Sequence, residues 1–223
     1  MVKKFSKMQK IRTNEELYNK LDSDLAWRKK EINYIINSLK LSRKKEIIKY
    51  YKRIGIIFLY AHWEGYIKNA SMRYLNLLRN KAIPYKDLKT NLMTVALKRK
   101  ISQCSQSEKT SIRYGLVEFL RNNLSEPAKI PYRDAINTNS NLSSSIFYEI
   151  LFTLGLDMDK FELKWHWIDH VLLKHRNNVA HGHDMDLDMQ KVVQTHKEVI
   201  AMLDDFRESI IDAVESQSYL VWC

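Results

Sequence analysis

The stretch FELKWHWIDHVLLKHRNNVAHG, residues 161–182, decides how the rest of the chain is read. It is a helical run from about 160 to 181, stopped by Gly182, because glycine accepts the left-handed backbone that ends a helix without steric cost. Three comparable runs surround it. Leu17, Leu21, Leu25, Ile32, Ile36 and Leu39 recur at helical intervals behind Thr13 and Glu16, which have capping-box spacing, so a first helix is expected over 14–41. A second is expected over 43–79 and a fourth over 187–216.

Only 5 glycines and 3 prolines in 223 residues leave few turns for a sandwich or barrel, while 45% hydrophobic content supplies one sizeable core. The expectation is therefore an all-α chain, one domain over 1–223, with four long helices in an up-and-down bundle. Residues 81–159 are less regular and read as a helical insertion between the second and third long helices. Helices are expected near 87–101 and 108–123, followed by a polar loop and a short helix capped by Ser143 or Ser144 and ended by Gly155.

Charge is uneven. The net value is +11, but residues 1–53 hold 16 Lys/Arg against 6 Asp/Glu, whereas residues 165–223 hold 5 against 10. A basic face of this kind suits a phosphate backbone, with Arg28, Lys29, Lys30, Lys44 and Lys45 as candidate RNA-binding residues. The same cations would also serve as solvated helix faces or as partners of the acidic last helix. Cys104 and Cys223 have neither disulfide nor zinc spacing, and the longest apolar run, 54–60, is too short to span a bilayer. The basic start, with no apolar run behind it, gives no leader signal. A cytoplasmic protein without membrane contact is expected.

Within the opening stretch, Arg176, Asn177, Asn178, Val179, Ala180 and His181 form an Arg-x4-His pattern after the apolar VLL. Together with Glu64 and Lys68 in WEGYIK, the preceding LYAH at 59–62, INTNSNL at 136–142 and LGLD at 154–157, this resembles the HEPN superfamily over most of residues 22–215. It is most similar to standalone bacterial HEPN-like nucleases of toxin–antitoxin and phage-defence loci. The resemblance implies a homodimeric, metal-independent endoribonuclease with no cofactor, acting on RNA, with a cognate antitoxin or defence-system protein as a further partner. It implies catalytic roles for Arg176, His181 and Asn177 and a supporting role for Glu64 and Lys68. Family members silenced by nucleotide transfer carry tyrosine two residues after the histidine; His183 stands there in this chain.

The residue types fit that chemistry. Cutting RNA without metal requires a base for the 2′-hydroxyl, an acid for the leaving 5′-oxygen and a cation for the extra charge of the transition state. Histidine exchanges protons near neutral pH, and arginine stays charged and grips phosphate through two parallel bonds. In a continuous helix positions 176 and 181 are rotated by about 140° and do not share a face, whereas 177 and 181 do. Two copies meeting at the ends of their third helices would pool these groups, the arrangement the resemblance implies. His175 and His183 stand beside the motif as candidate RNA contacts.

Other patterns carry less. His166, Asp169 and His170 have helical metal-ligand spacing but no third compelling ligand, and the flanking Trp165 and Trp167 favour packing. Asp184, Asp186 and Asp188 alternate as in a calcium loop but lack its glycine and terminal glutamate, so a helix cap is the simpler reading. Tyr50, Tyr51, Tyr60, Tyr66, Tyr74 and Trp63 form aromatic rows in which core packing is expected over base stacking. A second function class stays open at this point: a HEPN-like module that binds RNA or a protein without cutting.

Overall fold

A computed structural model describes residues 9–138, 140–183 and 187–221. Asn139, Asp184, Asp186 and Cys223 lie outside the described residues. Among those described, the chain is helical without a strand. Helix α1 (Asn14–Leu41) begins where the capping residues place it: the Thr13 hydroxyl accepts from the Glu16 amide at 3.1 Å. The Glu16 carboxylate reaches back to the Arg12 amide at 2.7 Å, and that bond holds the carboxyl below its usual range.

Helix α2 (Lys45–Asn80) is the spine of the bundle, packing against α1, against α8 (Met189–Glu215) and against α7 (Lys174–Ala180). The insertion supplies α3 (Thr90–Ser105), α4 (Thr110–Asn122) and α5 (Ser144–Leu154). Ser143 caps α5, and Gly155 ends it at φ +68°. Asp188 caps α8 by accepting from the Gln190 amide at 3.1 Å, which agrees with the capping reading of that aspartate. No helix among the described residues is long and apolar enough to cross a membrane.

The third long helix differs from the sequence expectation. It is a 3₁₀ turn over Asp159–Lys164, a short α6 (Trp165–Trp167), a π-helical segment over Ile168–Leu173 and then α7. Hydrophobic periodicity detects the helical run, but a π turn is set by the i to i+5 bonding that packing selects. Its register change falls immediately before the Arg-x4-His pattern.

The core is centred on fully buried aromatics. Phe147 of α5 meets Trp63 of α2 edge-on at 4.9 Å and Phe161 at 5.0 Å, so the insertion is packed into the same hydrophobic cluster as the bundle. A polar cluster also lies between α1 and α2. Asp24 accepts from Arg28 at 2.8 Å and from Arg73 at 2.9 Å, and Arg28 further donates to the His62 carbonyl at 3.2 Å. Gly65 makes room for this: a Cβ there would stand 2.8 Å from the Arg28 guanidinium.

His62 lies in that cluster, 5% exposed, with Phe58 and Trp27 edge-on to its ring and Glu31 3.3 Å from Nε2. Burial, then the Arg28 charge, pushes its pKa below 6.5, against the weaker opposite pull of Glu31 and Asp24. The unfolded chain therefore binds this proton more readily, and the stability contributed by neutral His62 is lost as pH falls through the interval below 6.5. The thermal midpoint is expected to drop between pH 7.5 and 5.5, with a shallower drop for His62→Gln. Equal slopes for the two proteins in a calorimetric pH series would contradict the assignment.

Candidate functional site

Helix α7 ends in a Schellman motif. Gly182, at φ +76°, donates its amide to Val179 at 3.1 Å, and the His183 amide donates to Asn178 at 3.0 Å. The turn makes His181 the C-cap of α7 and leaves the side chains of His181 and His183 exposed, their ring centroids 6.4 Å apart. Arg53 of α2 secures the turn by donating to the His183 carbonyl at 2.9 Å.

One turn earlier, Arg176 is half-buried and held in place. Its guanidinium lies 4.7 Å from the centre of the Tyr60 ring. It donates to Asn177 Oδ1 at 2.7 Å, to the Ser140 carbonyl at 3.1 Å and, at 3.4 Å, to Asn141 Oδ1. Each of these partners is neutral. The guanidinium is thus oriented by a ring face and amide oxygens while its charge stays uncompensated by them.

The loop that meets Arg176 is itself anchored at two points. The Leu142 amide donates to the Tyr60 hydroxyl oxygen, and Asp169 of the π-helical segment accepts from the Ser144 amide at 2.8 Å and from the Ser144 hydroxyl. Asp169 therefore adds a carboxylate to the N-terminus of α5, where the free amides favour negative charge. Burial raises the Tyr60 phenol well above its usual range, and the hydrogen-bonded Glu64 carboxylate raises it further. Tyr60 stays protonated, and Glu64 bears on Arg176 through it.

The structure brings together Tyr60, Glu64, Ser140, Asn141, Arg176 and Asn177, drawn from α2, the loop before α5, and α7. Lys68 is not part of this group: it is exposed, and no Glu64–Lys68 ion pair forms among the described residues. Arg28 also leaves the set of candidate RNA contacts. At 5% exposure it is spent on Asp24 and the His62 carbonyl, so its apparent membership of a basic surface run is corrected. Lys29 pairs with Asp204, while Lys30, Lys44 and Lys45 remain exposed.

His175 is half-buried, and its Nδ1 is sealed from solvent without a hydrogen-bond partner. Burial, with Lys191 and Lys174 nearby, pushes its pKa down, so it meets neutral pH as an uncharged ring. His166 and His170 stack at 4.2 Å between ring centroids, but Asp169 is bonded to Ser144. No cluster of three His, Cys, Asp or Glu side chains suited to a metal occurs among the described residues. Sequence reasoning placed Tyr60 in the core, which is right at 2% exposure, and missed that its ring also seats Arg176. Its position four residues before Glu64 was the available signal.

The blocks that meet in this geometry fall within one family match: residues 23–212 match RiboL-PSP-HEPN. The chain belongs to the RiboL-PSP-HEPN family. No curated protein and no solved structure matches it. The HEPN-type domain covers α2, α5, α7 and most of α1 and α8, and so holds every group placed around Arg176.

Proposed function

We propose that this HEPN protein is a metal-independent endoribonuclease that works as a homodimer in a toxin or phage-defence role. The observation that carries the reading is Arg176, fixed by neutral partners that leave its charge uncompensated, one turn before an exposed His181. In the proposed reaction His181 takes the proton of the 2′-hydroxyl, and the 2′-oxygen attacks phosphorus. The bond to the 5′-oxygen breaks, and a second imidazole, the partner's His181, returns a proton to that oxygen. Arg176 stabilises the charge gathered on the phosphoryl oxygens, and Asn177 orients the guanidinium. The products are a 2′,3′-cyclic phosphate and a 5′-hydroxyl.

Dimerisation is supported by an unpartnered stripe on α2. Ile47, Tyr50, Ile54 and Ile57 are 38–66% exposed and, with exposed Ala61, recur at intervals of three and four. Arg53, inside the same segment, holds the turn that carries His183, so a second copy seated on the stripe would approach the α7 ends. Fully burying each isoleucine is worth roughly 1.5–3 kcal/mol. Ile54→Glu is expected to turn the dimer into a monomer in sedimentation velocity and to remove RNA cleavage with it. A dimer of unchanged stability, or a fully active monomer, would count against a site pooled from two copies.

A further inference from the structure

A second cleft lies at the far end of α2, between the end of that helix, α3 and the loop around Pro131. It encloses about 660 Å³ and is lined by six cations, Lys10, Arg79, Arg99, Lys100, Lys129 and Arg133, against one carboxylate, Asp134. The way these cations are held separates them from others in the protein. Lys160, Lys164 and Arg207 are each matched with a carboxylate, on Asp212, Glu198 and Asp22 respectively. In the cleft the partners are neutral. Arg79 and Arg133 both lie over the Tyr132 ring, at 5.7 and 5.5 Å, and Arg79 also donates to the Ile130 carbonyl at 3.1 Å. Lys100 lies 4.5 Å from the centre of the Phe119 ring.

Aromatic faces and carbonyl oxygens orient a cation without cancelling its charge. Six cations converging on one concavity repel each other unless an anion enters, and an anion of several charges spread along a chain meets them best. Arg79 stands 19 residues beyond Tyr60 on the same helix, about 28 Å along its axis. We infer that this cleft binds the phosphate backbone of single-stranded RNA remote from the Arg176 and His181 pair, as a second contact on one strand. At about 3.4 Å per stacked nucleotide the two places are roughly eight nucleotides apart. The inference concerns binding alone and does not require that the chain cut RNA.

The test uses the full chain carrying His181→Ala and a fluorescein-labelled 20-nucleotide single-stranded RNA, followed by anisotropy across a salt series. Arg99, Lys129 and Arg133 are exposed and make no ion pair among the described residues, so reversing all three to Glu leaves the fold intact, as a thermal melt will check. The triple variant is expected to bind at least tenfold more weakly at low salt. The slope of log affinity against log salt should shrink by about 2, since each single-strand phosphate contact contributes roughly 0.7. Reversing exposed Lys40, Lys191 and Lys197 should cost less than threefold. Unchanged affinity in the cleft variant, or equal losses in both triples, would overturn the inference. Loss of cleavage in His181→Ala is read separately, so the nuclease proposal can fail while this one stands.

Discussion

Replacing His181 by alanine is expected to lower the rate of RNA cleavage by about 10² to 10⁴ while leaving RNA affinity and the melting temperature nearly unchanged. The ring is exposed at the end of α7, so its removal opens no cavity, and the backbone bond from its amide to the Asn177 carbonyl at 2.9 Å survives. That separation of effects is what makes this the informative position. Arg176→Ala would also silence the protein, but it would release Ser140 and Asn141 from α7 and so mix loop disorder with lost chemistry. Arg176→Lys keeps the charge, yet a lysine cannot reach several acceptors in one plane, and most of the activity should still be lost. Single-turnover cleavage beside anisotropy measures both halves. Equal losses of rate and affinity in His181→Ala would reduce the histidine to a binding contact.

The largest effect on stability is expected at Asp24. The residue is 8% exposed, and its carboxylate is the shared acceptor of Arg28 and Arg73. Asp24→Ala leaves a buried guanidinium without its counter-charge, a change that typically costs about 3–5 kcal/mol. For a chain of this length each kcal/mol lowers the melting temperature by roughly 2–4 °C. The midpoint should therefore fall by about 6–20 °C. Asp24→Asn keeps the shape and one acceptor oxygen and should fall less. A loss below about 1 kcal/mol in urea titration would show that Arg28 finds water or other acceptors and that the cluster does not tie α1 to α2.

Much of this architecture was legible because its signals are local. Thr13 with Glu16 fixed the start of α1, Ser143 and Gly155 bounded α5, and Gly182 marked the end of α7, each through chemistry within a few residues. What was not legible depends on contacts between distant elements. Arg28 sits beside Lys29 and Lys30 and reads as part of an exposed basic run, yet the space above Gly65 and the charge of Asp24 draw it inside. The π-helical segment has the same hydrophobic spacing as an α-helix, and only Asp169 bonding to Ser144 hints at what its altered register achieves.

The candidate site divides in the same way. Arg176, Asn177 and His181 stood out as residue types at a spacing, and Glu64 as part of a second block. That Tyr60 is the link between Glu64 and Arg176 follows from α2 crossing α7, which no single stretch encodes. Lys68 dropped out for the converse reason, since four-residue spacing permits a pair with Glu64 but does not compel one, and the surface pair would be worth only about 0.2–0.5 kcal/mol. Of the aromatic rows expected to pack in the core, Tyr50 departs: it is 66% exposed, in the apolar stripe that α2 leaves uncovered.

The most direct measurement is to incubate the purified chain with a defined RNA in excess chelator and to determine the chemistry of the new ends by mass spectrometry. A ribonuclease built from paired imidazoles and Arg176 leaves 2′,3′-cyclic phosphate and 5′-hydroxyl termini at an undiminished rate. Activity that vanishes with the chelator, or products ending in 3′-hydroxyl and 5′-phosphate, would contradict it.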